Sequence, residues 1–170
     1  MSHPALAEIE QLAAAQGLLL RLQVRRWFVI TSLRVVVARQ RPGQPLLLLG
    51  ELKGWSLPLP DGLQLDTMRI QGPETQAVGP LIWAATFAWA LEATPCRSAR
   101  LLAIRDNDPQ HRRLVRYFRR LGFEAIREVG AAPADLSLRL VWGGAGLLMR
   151  GDCATGLGRA WRMAQLASPA

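Results

Sequence analysis

Residues that build metal and thiol chemistry are scarce in this chain. Cys96 and Cys153 stand far apart, form no Cys-x-x-Cys pair, and have only two histidines to join them. That spacing excludes a zinc motif and suits a reducing, cytoplasmic setting with inert thiols. Long apolar runs are missing too, since no uninterrupted stretch reaches the ~18 residues that span a bilayer. The N-terminus carries Glu8 and Glu10 without a basic segment ahead of an apolar core, so it does not read as a secretion signal. Lysine is nearly absent. Lys53 is the only one among 21 Lys and Arg residues, so arginine carries nearly all of a net charge of +8. Arginine forks onto carboxylates and phosphates, which points to an acidic partner: coenzyme phosphates, an acidic protein, nucleic acid or an anionic membrane surface. Ordinary solvated arginines in an arginine-biased composition account for the same charge. No recognisable nucleic-acid-binding motif is present, which places nucleic acid behind coenzyme phosphates and an acidic protein.

What is present supports one domain. The 170 residues are half hydrophobic, enough to bury a single substantial core. Residues 4–16 repeat Leu6, Ile9, Leu12 and Ala13 at helical spacing and end at Gly17. Residues 18–39 alternate apolar and polar side chains as strands do, with Leu20, Leu22 and Val24 set against Arg21, Gln23 and Arg25. Arg41-Pro42-Gly43-Gln44 and Pro58-Leu59-Pro60-Asp61-Gly62 are turns, so antiparallel strands follow one another up to Ile70. An uncharged helix-forming run follows over 81–91, with Pro80 expected at its first position. Then come a strand at 99–104, an arginine-rich helix at 109–121, strands at 124–129 and 136–141 continuing towards Leu148, and a short helix at 157–166. Gly143-Gly144-Ala145-Gly146 has no basic or hydroxyl residue after it and reads as a bulge or bend.

The stretch between these halves carries the functional signal. Gln71-Gly72-Pro73-Glu74-Thr75-Gln76-Ala77-Val78-Gly79-Pro80-Leu81 opens a helix whose first-turn amides and dipole suit an anion. Pro73, Gln76 and Gly79, preceded by an extended segment ending at Ile70 and followed downstream by Leu121-Gly122-Phe123, resemble the GNAT superfamily of acyl-coenzyme A-dependent N-acyltransferases. In that family the loop holds the coenzyme pyrophosphate, and the helix ending in Gly-Phe usually starts with an asparagine and carries a tyrosine. The resemblance implies an α/β (α+β), three-layer fold with a central mixed, mostly antiparallel sheet and helices on both faces. The single domain would divide into an N-terminal helix (1–17), antiparallel strands (18–70), coenzyme loop to arginine-rich helix (71–123), C-terminal strands (124–150) and a terminal helix (151–170). It implies acetyl-coenzyme A as cofactor, an amine acceptor, and coenzyme contacts from Ile70, Gln76, Ala77, Val78, Gly79, Leu81 and His111. Tyr117 is the implied proton donor and Glu74 the proton acceptor.

Three positions depart from the family pattern. Leu81 replaces the second small residue of the loop, His111 the asparagine, and Phe118 the tyrosine, with Tyr117 displaced by one residue, about 100° of helix rotation. Asp66, Glu74 and His111 equally suit structural roles as turn, loop and helix-end residues. The alternative to an acetyltransferase is therefore a non-catalytic protein of the same fold that holds an acidic partner through its arginine surface. Arg112, Arg113, Arg116, Arg119 and Arg120 surround an apolar stripe of Leu114, Val115, Phe118 and Leu121. Trp83 and Trp89 share no narrow face, so the helix after the loop is expected to be buried on more than one side. Trp27, Trp55 and Trp142 fall in strand-like segments as core anchors, any exposed one marking a partner surface.

Overall fold

Alternation of apolar side chains builds a seven-stranded sheet, seen here in a computed structural model that describes residues 2–105, 107–130, 132–137 and 144–167. Helix α1 (Leu6–Ala15) leads into β1 (Leu18–Trp27), β2 (Ile30–Arg39), β3 (Leu47–Ser56) and β4 (Leu63–Ile70), each antiparallel to the next. Helix α2 (Val78–Ala93) crosses to β5 (Ser98–Ile104), which pairs with β4 in parallel. Helix α3 (Asp108–Arg120), β6 (Phe123–Val129), a short 3-10 turn (Pro133–Asp135), β7 (Gly146–Asp152) and helix α4 (Cys153–Leu166) follow. The strand order is β1-β2-β3-β4-β5-β7-β6. The sheet is thus mixed and mostly antiparallel. None of the described helices is long and apolar enough to cross a membrane.

Local chemistry explains the joints. Asn107 caps α3 by accepting a bond from the Gln110 amide at 3.0 Å, and Asp152 caps α4 through the Thr155 amide at 2.8 Å. That second cap starts α4 at Cys153, four residues before the expected Leu157. Helix α2 likewise starts early, at Val78, so Pro80 occupies its third position, where a missing N–H is still harmless. Gly122 turns the chain from α3 into β6 at φ +98°, a conformation that a Cβ would strain. The expected strand over 136–141 differs: Leu136 and Ser137 are helical, while residues 138–143, with Trp142 and Gly143, lie outside the described residues.

Of the helices expected on both faces, α1 to α4 gather on one. One core cluster takes Ile9 and Ala13 of α1, all of α2's packing face, Val115 and Phe118 of α3, and Cys153, Leu157, Ala160 and Ala164 of α4. It also takes same-face strand residues, among them Leu20, Val35, Leu52, Leu65, Leu101 and Met149. Helices α1 to α4 therefore share one face of the sheet, while the 3-10 turn Pro133–Asp135 meets, through Asp135, Arg127, which register places with Leu148 on the other face. The reason lies in α2: every residue from Val78 to Ala90 is buried, so the helix needs cover all round. The sheet gives one side, and α1, α3 and α4 close the rest. Trp83 and Phe87 stack at 5.7 Å, with Phe118 and Phe123 edge-on to Trp83 at 6.0 and 5.8 Å. Gly156 lets α4 approach the Phe87 ring, where a Cβ would stand 2.6 Å from Cε2. The opposite sheet face holds only a small cluster of Leu102, Leu148 and Val129. Between β1 and β2 there is a two-residue turn, Phe28-Val29, and no helix.

Both thiols are buried and free. Burial, helped by the neighbouring Asp152 charge, pushes the Cys153 thiol from 9.0 up to about 12. In the unfolded chain the thiol sheds its proton near pH 9 while the folded protein keeps it, so rising pH favours unfolding. The contribution is whole below pH 9 and is lost progressively towards pH 12. Urea titrations at stepped pH are expected to show stability falling through that window, with a shallower fall in Cys153→Ala. Thiol reagents should label neither cysteine until the chain unfolds.

Candidate active site at the start of the central helix

The parallel pairing of β4 with β5 is short. Leu63 opposes Ala99, Gln64 opposes Arg100, and Leu65 opposes Leu101. Beyond that the strands separate. The cause is a bulge in β4, where Leu65 opposes Gly54 and Thr67 opposes Lys53, leaving Asp66 as the extra residue. A bulge bends its strand and steepens the twist, which swings residues 66–70 away from β5. Along that stretch the β5-facing backbone groups of β4 have no ladder partner, and such groups need water or a ligand. The N-terminus of α2 opens beside this gap.

Few of α2's first-turn amides are free. Val78 N–H donates to Thr75 O at 3.1 Å, Leu81 N–H to Ala77 O at 3.0 Å, and Pro80 has no donor. Gly79 keeps an N–H with no hydrogen-bond partner among the described residues. A side chain on Gly79 would find Ile70 Cδ1 and Tyr117 Oη each 3.1 Å from its Cβ, and Met68 Cε at 3.7 Å. A side chain there would push Ile70 and the phenol aside by a few tenths of an ångström, and the phenol of α3 reaches the start of α2. The one-residue displacement of the tyrosine thus does not keep it from the loop, while Phe118 turns into the aromatic core.

Burial holds the Tyr117 hydroxyl above the usual phenol range, partly offset by the indole N–H of Trp83. That indole nitrogen is buried and makes no hydrogen bond of ordinary geometry. Trp83 lies one turn after Gly79, so the unsatisfied donor sits directly beneath the gap. Sequence reasoning gave Trp83 and Met68 no part here. The i, i+4 spacing from Gly79 was the available signal.

The expected residues divide into three groups. Ile70, Gly79 and Tyr117 converge at the gap. Ala77, Val78 and Leu81 are buried and offer backbone alone, Val78 Cγ1 standing 2.6 Å from where a Gly50 Cβ would be. Gln76 and Glu74 face another way, into a cleft of about 560 Å³ lined also by Arg39, Arg41 and Gly17. Glu74 there pairs with Arg39 at 3.7 Å and Arg41 at 3.4 Å, and Arg39 bonds the Pro73 and Glu74 carbonyls, strapping the loop to β2. Glu74 and Tyr117 are not brought together. His111 is buried at the start of α3, its Nδ1 3.3 Å from Ile104 O and its Nε2 3.5 Å from Arg105 Nη2. It joins α3 to the end of β5.

No family model matches the chain, and a search of the curated proteins finds no match to it.

Glu74 adopts φ +56°, unfavourable for a residue with a side chain. Its carboxylate is 69% exposed, so its ion pairs contribute at most ~1 kcal/mol. Glu74→Gly should leave stability within ~1 kcal/mol, because relief of the backbone offsets the lost pairs, whereas Glu74→Val should destabilise by ~1–3 kcal/mol. Urea denaturation of the two variants measures the difference.

Proposed function

We propose that this chain is a divergent acyl-coenzyme A-dependent N-acyltransferase of the GNAT type, with acetyl-coenzyme A as donor and an amine as acceptor, acting in a reducing cytoplasm. One observation carries the reading: β4 and β5 part beside the α2 N-terminus, with the free Gly79 amide and the Tyr117 hydroxyl at the opening. An extended pantetheine arm would satisfy the backbone groups of residues 66–70 as an added strand does. The pyrophosphate would meet the Gly79 amide once Met68 and Ile70 swing aside. In the reaction the amine nitrogen attacks the thioester carbonyl, the carbon–sulfur bond breaks, and the thiolate takes the Tyr117 proton while the new ammonium loses one to water. The phenol carries the proton this step needs, while its burial makes it a weaker acid that must be reprotonated from water after each turnover.

A second reading is favoured by a different observation. The helix-start amides are mostly used, Leu81 is fully buried, and Arg112, Arg113, Arg116, Arg119 and Arg120 make no ion pair among the described residues. A cleft of about 730 Å³ runs along Arg112, Arg113, Arg116 and Arg119 over Val115 and Leu147. On this reading the fold holds an acidic protein partner and performs no chemistry.

Calorimetry with purified protein separates the two. Acetyl-coenzyme A is expected to bind, Gly79→Val to abolish binding, and Tyr117→Phe to bind while losing ~10²-fold or more in turnover with an amine acceptor. Absence of heat at millimolar acetyl-coenzyme A would remove the first reading. A stoichiometric acidic partner lost on Arg112→Glu/Arg116→Glu substitution would then establish the second.

A further inference from the structure

The β1–β2 ribbon ends in four consecutive exposed apolar residues. Trp27 is 76% exposed, Phe28 83%, Val29 62% and Ile30 44%, with Val24 at 46% just behind them. Scattered exposed apolar residues are ordinary, but a contiguous set at a protruding tip is not. The Trp27 and Phe28 rings lie 6.0 Å apart, forming one aromatic wedge. Phe28 moreover occupies the first turn position at φ +55°, where hairpins favour glycine. The chain keeps a large aromatic there against backbone strain, at a place where it packs against no core.

The charge along the ribbon has one sign. Between Leu18 and Arg39 there is no acidic residue, while Arg21, Arg25, Arg26 and Arg34 all lie there. Arg34 is engaged with Glu51, whose carboxyl it holds below the usual carboxylate range with help from Lys53. Arg25 and Arg26, immediately behind the wedge, make no ion pair or hydrogen bond from their side chains among the described residues.

We propose that this ribbon docks the protein on an anionic phospholipid surface, its Trp27–Ile30 tip entering the headgroup–acyl boundary while Arg25 and Arg26 take lipid phosphates. The exposed apolar tip and the basic charge directly behind it select this occupant. Register places Trp27 opposite Ile30 and Arg25 opposite Ser32 on one face of the ribbon, while Val24 opposite Leu33 and Arg26 opposite Thr31 belong to the other. One face of the tip is therefore apolar through Trp27 and Ile30, the turn itself is Phe28-Val29, and the other face begins with Arg26 and Thr31. An apolar point flanked at once by arginine matches a lipid surface whose acyl boundary lies just beneath its phosphates. Tryptophan favours the headgroup level, arginine stems reach back to phosphates, and apolar insertion together with basic attraction makes two anchoring signals. The absence of any acidic residue in the ribbon supplies the complementarity to anionic lipid.

Vesicle co-sedimentation of the full chain tests the proposal with variants at exposed positions, whose folding is checked by circular dichroism. The protein is expected to sediment with phosphatidylcholine vesicles containing phosphatidylserine and to stay in solution with phosphatidylcholine alone. Trp27→Ser/Phe28→Ser should weaken binding by ~10-fold or more. Arg25→Gln/Arg26→Gln should weaken it by about fivefold per arginine. The emission lost in Trp27→Phe should shift to the blue with anionic vesicles. No binding to anionic vesicles would overturn the proposal. Binding unchanged by the tip variant would also overturn it, since adsorption would then run through other arginines. Retention on a DNA oligonucleotide, equal to that on vesicles and unchanged by the tip variant, would overturn it as well and assign the basic face to nucleic acid. None of these outcomes depends on acetyl-coenzyme A.

Discussion

The full burial of α2 is the constraint from which the rest of the architecture follows. A helix apolar around its whole circumference cannot lie on a protein surface, because every exposed turn would leave large side chains in water. The sheet covers one side, and α1, α3 and α4 must cover the others. The small residues of α4 meet this need: Gly156 and Ala160 let that helix lie close against Phe87 and its neighbours. Gathering α1 to α4 in this way leaves the second face of the sheet to arginine-bearing strands and, among the described residues, to the short segment around Pro133–Asp135.

The same helix sets up the chemistry at its N-terminus. Its burial fixes the start of α2 against β3 and β4, where Val78 packs on Gly50. The Asp66 bulge then turns β4 away from β5 at that level. Backbone groups without partners, one free amide, a buried indole donor and a neutral phenol meet in that gap. A folded chain does not leave so much polar capacity in one place without water or a ligand to use it. On the proposed reading the coenzyme's own amides and phosphates fill that capacity. The basic ribbon lies at the far end of β1 and β2, so lipid docking and coenzyme binding would use separate surfaces.

Much of this was legible from residue pattern alone. The turns at Pro42-Gly43 and Pro58 to Gly62 announced the antiparallel strands, and Leu121-Gly122-Phe123 marked the passage from α3 to β6. The layering was not legible, because a buried helix looks the same whichever sheet face it packs against. The Phe28-Val29 turn was hidden for a chemical reason: it has none of the glycine, asparagine or proline that signals a hairpin. The reach of Tyr117 depended on how α3 sits over α2, which no spacing rule supplies. Glu74 looked like an acid of the groove, yet its left-handed backbone and the Arg39 strap turn it towards β2. The early starts of α2 and α4 were missed because backbone closure at Ala77 and the Asp152 cap decide them, ahead of the apolar run.

Native-state hydrogen exchange measured by mass spectrometry tests the organising role of α2 most directly. If α2 is the enclosed centre of the fold, its interior amides exchange only through global unfolding, with the same free energy that denaturant titration gives. The β1–β2 tip should exchange orders of magnitude faster. If α2 amides instead exchange by local opening, at rates like those of α1 or the ribbon tip, the helix is not enclosed, and the single-face architecture built on it is wrong.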